Sequence, residues 1–168
     1  MESLDALYQE LILEHNRKPK NFRVMDDADQ TVEGRNPLCG DELTVWLKFS
    51  GDHIDDVSFR GSGCAISKAS ASLMTSAVKG KTRAEALDLF ERFHRLVTGQ
   101  LPADEERALG PLRALGGVSR FPLRVKCASL AWHALRSGLI AEPGTVPEVN
   151  TEKPSEGTDP AVGPHPTT

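Results

Sequence analysis

Three cysteines, Cys39, Cys64 and Cys127, together with Asp41, are the residues of this chain whose types and spacing suit metal or sulfur chemistry. Cys39 and Asp41 flank Gly40, so a single loop can aim both at one centre. Cys64 follows Gly61-Ser62-Gly63 where a helix is expected to begin, and a helix N-terminus favours a thiolate over a thiol. Cys127 falls near the start of the last expected helix. An odd, widely spaced set does not read as a disulfide framework. Spacing alone leaves two readings open, since no C-x-x-C knuckle is present. Either the cysteines are small hydrophobes in a core, with Asp41 a turn residue, or three thiolates and one carboxylate supply four ligands. Thiolate donors in tetrahedral coordination suit zinc, or iron in a cluster. A thiolate bound to a metal is held deprotonated; once released it is a nucleophile able to attack a persulfide. Cys39 is the candidate for that step, because its loop can move while helices anchor Cys64 and Cys127.

The elements that must position these residues can be read from periodicity. Leu4, Leu7, Tyr8, Leu11 and Ile12 form one apolar stripe and predict a helix over 4–15. Around Gly34-Arg35-Asn36-Pro37 the chain is expected to turn. From Glu42 to Phe49 the period becomes two, which predicts a half-buried strand. Gly51-Asp52 turns the chain into a second strand over 54–60, forming a hairpin. Residues 26–34 are expected to supply a third strand, because two strands alone are marginal. The small, apolar stretch Ala65 to Val78 predicts a helix closely approached by another backbone, with Gly80 closing it. Thr82 and Glu85 match a capping box for a helix running to about Thr98. A short helix over 103–109, a flexible joint at Gly116-Gly117 and a last helix from Pro122 to Ser137, stopped by Gly138, complete the reading. The expected fold is a small α+β domain: an antiparallel sheet of about three strands with helices on one face.

The formal net charge of the 168 residues is -4. Glu142, Glu148, Glu152, Glu156 and Asp159 against Lys153 account for all of it. The segment 142–168 is also rich in proline and without aromatic residues, and is expected to be a disordered acidic tail after a domain over 1–141. A formally neutral body offers no electrostatic case for nucleic acid or acidic lipid. No apolar run approaches a membrane span, and no basic opening followed by an apolar stretch suggests secretion, so a cytoplasmic location is expected. Arg124 and Lys126 stand beside Cys127 and are read as groups steering a persulfide or a partner's acidic surface, or as a solvent-facing helix surface. His15, His53, His94 and His133 share no ligand spacing. Trp46 and Trp132 suit either an interface or the core.

Three stretches resemble one family. Asn36-Pro37-Leu38-Cys39-Gly40-Asp41, Gly61 to Ser72 and Phe121 to Ala128 resemble, in order, the three cysteine motifs of the iron–sulfur scaffold family of IscU/NifU N-terminal type. The second has the form of its SufU branch, and the likeness runs over residues 4–140. The resemblance implies a SufU/IscU-like fold and a zinc ion on Cys39, Asp41, Cys64 and Cys127. It implies a SufS-type cysteine desulfurase as partner, with other Suf assembly proteins beyond it, and Cys39 as acceptor of the persulfide sulfur used for cluster assembly. Arg124 would be a supporting basic residue. Where scaffolds of the family carry histidine before the third cysteine, this chain has Lys126, and a protonated lysine is no ligand. The stretch from Gly99 to Gly117 resembles an insertion of the SufU branch. Both features favour sulfur transfer over the alternative, a scaffold holding iron or an iron–sulfur cluster.

Overall fold

Leu43, Val45 and Leu47 alternate with polar residues, and that period of two builds the strand around which the sheet is arranged. In the computed structural model, which describes residues 2–142 and 145–152, β1 (Gln30–Asn36) and β3 (His53–Ser62) flank β2 (Asp41–Ser50) as antiparallel neighbours. Val32, Val45, Leu47, Val57 and Phe59 are buried on one face, while Glu33, Arg35 and Glu42 remain exposed on the other.

Helices cover the buried face. They are α1 (Glu2–Arg17), α2 (Ala65–Val78), α3 (Arg83–Val97), the short α4 (Ala103–Glu106) continuing into a 3-10 segment (Arg107–Arg120), and α5 (Pro122–Ile140). α5 packs on β1 and β2, and α2 on β3. The small residues of α2 let its neighbours come close. Ser70 Oγ donates to the Ala128 carbonyl at 2.6 Å and accepts from Trp132 Nε1 at 3.2 Å. On another side of α2, Ser72 Oγ meets the Lys20 N–H and His15 Nδ1, each at 2.7 Å. Trp132 therefore belongs to the core, stacked on Phe93 with ring centroids 4.3 Å apart. The capping box at Thr82 and Glu85 is formed in both directions.

The structure corrects several expectations. The first strand runs to Asn36 rather than ending at 34, because the turn is confined to 37–40 and Asn36 finds buried partners for its side chain. The Gly116-Gly117 pair is no joint; it lies within the 3-10 segment, where Gly116 faces Leu96. Gly138 does not stop α5, which continues to Ile140. A Cβ there would stand 2.6 Å from Leu47 Cδ1 and 3.0 Å from Val32 Cγ2, so Gly138 brings the helix down onto the sheet.

Among the described residues the sheet has four strands in the order β3-β2-β1-β4, since Glu148–Asn150 forms β4, parallel to β1. Within the stretch expected as a tail over 142–168, Glu148–Asn150 is thus a strand paired with β1. The outer edge of β1 offers unpaired backbone groups: the Glu33 N–H donates to the Pro147 carbonyl at 3.1 Å, and the Thr151 N–H to the Arg35 carbonyl at 3.0 Å. Val149 packs against the core. Residues 143–144 and 153–168 of that expected tail lie outside the described residues.

Candidate metal centre

Asp41 opens β2 directly across from Asn36, the last residue of β1, so the hairpin closes on two polar side chains that are both buried. Asp41 Oδ1 accepts the Cys64 N–H at 2.9 Å, and its Oδ2 accepts Asn36 Nδ2 at 3.1 Å. Two glycines permit this. A Cβ on Gly61 would lie 2.3 Å from the Glu42 carbonyl oxygen, and one on Gly63 would lie 2.4 Å from Asp41 Oδ1. Only bare backbone can pass so close, and its passage sets Cys64 beside the carboxylate.

Cys39 lies on the turn between β1 and β2, where Gly40 takes a φ of +72° and the Cys39 N–H returns to the Asn36 carbonyl at 3.2 Å. Cys64 caps α2, its Sγ accepting the Ser67 N–H at 3.4 Å. Cys127 is fully buried within α5, its Sγ 3.1 Å from Cys39 Sγ and 3.6 Å from Asn36 Nδ2. Ligand atoms of Cys39, Asp41 and Cys127 all lie within 4.8 Å of one another. Cys64 stands outside that tight set, tied to it through the bond from its N–H to Asp41 Oδ1. The arrangement thus gathers thiols and a carboxylate from a turn, a strand start, a helix cap and a helix interior.

The electrostatics say what such a gathering requires. Burial is the first cause that pushes the Cys127 thiol well above its ordinary range; hydrogen bonding with Cys39 and Cys64, then the negative charge of Cys64 and Asp41, push further the same way. A divalent cation reverses each of these effects by binding the deprotonated forms. The donor set, soft sulfurs with one hard oxygen, fits a first-row transition metal. Arg124, exposed on the first turns of α5, faces the thiols; the charge of Cys64, followed by a hydrogen bond with Cys127, raises its pKa and holds it charged. Lys126 turns elsewhere and pairs with Glu152.

Sequence reasoning missed the role of Asn36. Its amide nitrogen reaches Asp41 and Cys127, while its Oδ1 accepts the Thr151 hydroxyl at 2.9 Å. The asparagine read as a turn former is the buried bridge between the centre and β4. Its place immediately before the cysteine turn was the available signal.

Residues 7–141 match the NifU-like N-terminal domain. This chain belongs to that family. It is 43% identical over 142 residues to the zinc-dependent sulfurtransferase SufU of Bacillus subtilis, covering 84% of this chain and 95% of that protein. It is 41% identical over 140 residues to the iron-sulfur cluster assembly scaffold protein IscU of Streptococcus pyogenes, covering 83% of this chain and 86% of the relative. Among solved structures, a candidate cluster assembly scaffold protein for the SUF system from Fervidobacterium islandicum superposes with a TM-score of 0.72 at 37% identity. That match covers 77% of this chain and 94% of the other. The α+β fold with its mixed sheet is therefore the fold of the family. Among the described residues, no helix is long and apolar enough to cross a membrane.

Proposed function

We propose that this chain is a zinc-dependent sulfur acceptor, working with a SufS-type cysteine desulfurase to supply iron–sulfur cluster assembly. The observation that carries the reading is the convergence of Cys39, Asp41 and Cys127 within 4.8 Å, with Cys39 on a turn and partly exposed. Cys39, Asp41, Cys64 and Cys127 would hold the zinc, which keeps the thiols deprotonated and protects them from oxidation. Cys39 is the acceptor because its turn can swing while Cys64 and Cys127 are tied into helices. Its thiolate attacks the outer sulfur of the desulfurase persulfide. The S–S bond of that persulfide breaks, a new one forms to Cys39, and the partner's cysteine leaves as a thiolate. Arg124 offsets the negative charge that gathers on the exchanging sulfurs. Leu38, Phe121 and Leu123, each more than half exposed beside the centre, give a partner an apolar surface to cover.

A second reading, a scaffold on which a cluster is built and passed on, is favoured by the names of relatives such as the streptococcal protein, and by a donor set that also suits iron. The surface pairing of Lys126 with Glu152 keeps that position out of the ligand set and weighs toward sulfur transfer. The two readings separate experimentally. After incubation of the zinc-loaded protein with a pyridoxal-phosphate cysteine desulfurase and cysteine, alkylation and mass spectrometry are expected to find persulfide on Cys39; none there, with zinc present, would overturn the proposal. Anaerobic reconstitution with iron and sulfide in the presence of zinc is expected to leave no transferable cluster, and a stable one would favour the scaffold.

A further inference from the structure

Near the centre, α1, the 3-10 segment and the start of α5 line an open-mouthed cavity of about 710 Å³. That size falls within the range of small-molecule sites, roughly 300–1,000 Å³. Arg113, Arg120 and Arg124 all line it, against one carboxylate, Glu106. None of the three arginines forms an ion pair among the described residues, and Arg113 Nε is buried without a hydrogen-bond partner. Gln9 and Ser119 add neutral polar groups to the wall. Three guanidinium forks around a part-enclosed space match carboxylate geometry. Phe121 and Arg124 line the cavity at the start of α5, within two turns of Cys127, and Ile66 lines it two residues after Cys64, so a ligand seated there lies next to the sulfur centre.

We propose that this cavity binds a small thiol bearing carboxylates, and that this molecule draws the transferred sulfur off Cys39. The second half rests on Cys39 being the acceptor, as proposed above. The bound thiol, as its thiolate, attacks the outer sulfur of the Cys39 persulfide. The persulfide S–S bond breaks, an S–S bond to the small molecule forms, and Cys39 leaves as a thiolate. The proton lost by the incoming thiol balances the one that restores Cys39, so thiol plus persulfide give persulfide plus thiol with no outside oxidant or reductant. Sulfur would then leave as a small persulfide held by its carboxylates.

Three probes separate the elements of the idea: succinate (two carboxylates, no thiol), mercaptosuccinate (the same with a thiol) and 2-mercaptoethanol (a thiol alone). Titrations followed by NMR or calorimetry on the zinc-loaded chain are expected to show saturable binding of succinate and mercaptosuccinate only. Arg113→Gln combined with Arg120→Gln should weaken that binding about tenfold or more, the scale of losing charged hydrogen bonds; Arg120→Gln alone, at an exposed position, gives the same direction should the double variant fail to fold. On protein carrying the Cys39 persulfide, mercaptosuccinate should release sulfur with saturation and be competed by succinate, while 2-mercaptoethanol shows neither. Absence of succinate binding overturns the site. Equal release by both thiols at matched thiolate concentration, untouched by succinate, overturns the transfer. If no persulfide forms on Cys39, the acceptor reading fails instead, and the succinate titration still reads the cavity.

Discussion

At the residue scale the centre depends on groups that are costly to hold together without a cation. Cys127 is fully buried, and Asp41 is 1% exposed beside it. Cys64→Ala and Cys127→Ala are each expected to abolish metal retention and remove the stabilisation that ligand binding confers, about 4 kcal/mol at a thousandfold excess of metal over Kd. Metal analysis and melting curves with and without chelator check this: the chelator should shift the wild type and leave both variants where they are. Gly63→Ala tests a different link. Its Cβ would be forced to within 2.4 Å of Asp41 Oδ1, so the carboxylate must move. The variant is expected to lose metal affinity at least as severely as Asp41→Ala, in competition with a chromophoric chelator. Retained affinity would show that the carboxylate is not a ligand.

At the element scale, the junction of β1, β2 and β4 holds the carboxylate in its orientation. Asn36 is the link, donating to Asp41 and accepting from Thr151. Groups that orient metal ligands typically contribute about 10–100-fold in affinity. Asn36→Ala is expected to fall in that range, and Thr151→Val to give a smaller loss of the same sign, with faster metal release to a chelator measured by stopped flow. The capping box of α3 lies away from the centre. Thr82→Ala should therefore cost about 1 kcal/mol in urea unfolding and leave metal affinity unchanged. Coupling between the two would mean that α3 carries more of the centre's geometry than its contacts suggest.

At the scale of the whole molecule, the layers are joined through α2, and one joint is sensitive to pH. His15 holds α1 to α2 through Ser72. Burial, then the charge of Lys20, lowers its pKa below 6.5. The unfolded chain therefore binds the proton first as pH falls. The stabilisation is full above the unfolded value and is lost as pH drops below 6.5 toward the folded value. Metal-free protein should unfold at lower urea at pH 5.5 than at 7.5, both about one unit from an unperturbed histidine, and His15→Gln should flatten part of that slope.

What the sequence determined by itself was local. The alternation at Leu43, Val45 and Leu47, the capping box at Thr82 and the small residues of α2 each specify an element through neighbours a few positions away, and so were legible without coordinates. The cysteine motifs with Asp41 marked the candidate centre, because their residue types and glycine neighbours survive as a pattern. Tertiary structure alone decided the rest. Gly138 reads as a helix stop until Leu47 and Val32 are seen to press on it. Glu148–Asn150 reads as tail until β1 presents an open edge, and Asn36 reads as a turn until Asp41, Cys127 and Thr151 surround it. Each of these residues takes its role from partners distant in the chain. Periodicity and propensity carry no information about which distant surfaces will meet; close packing and the need to satisfy buried polar groups settle that only once the chain has folded.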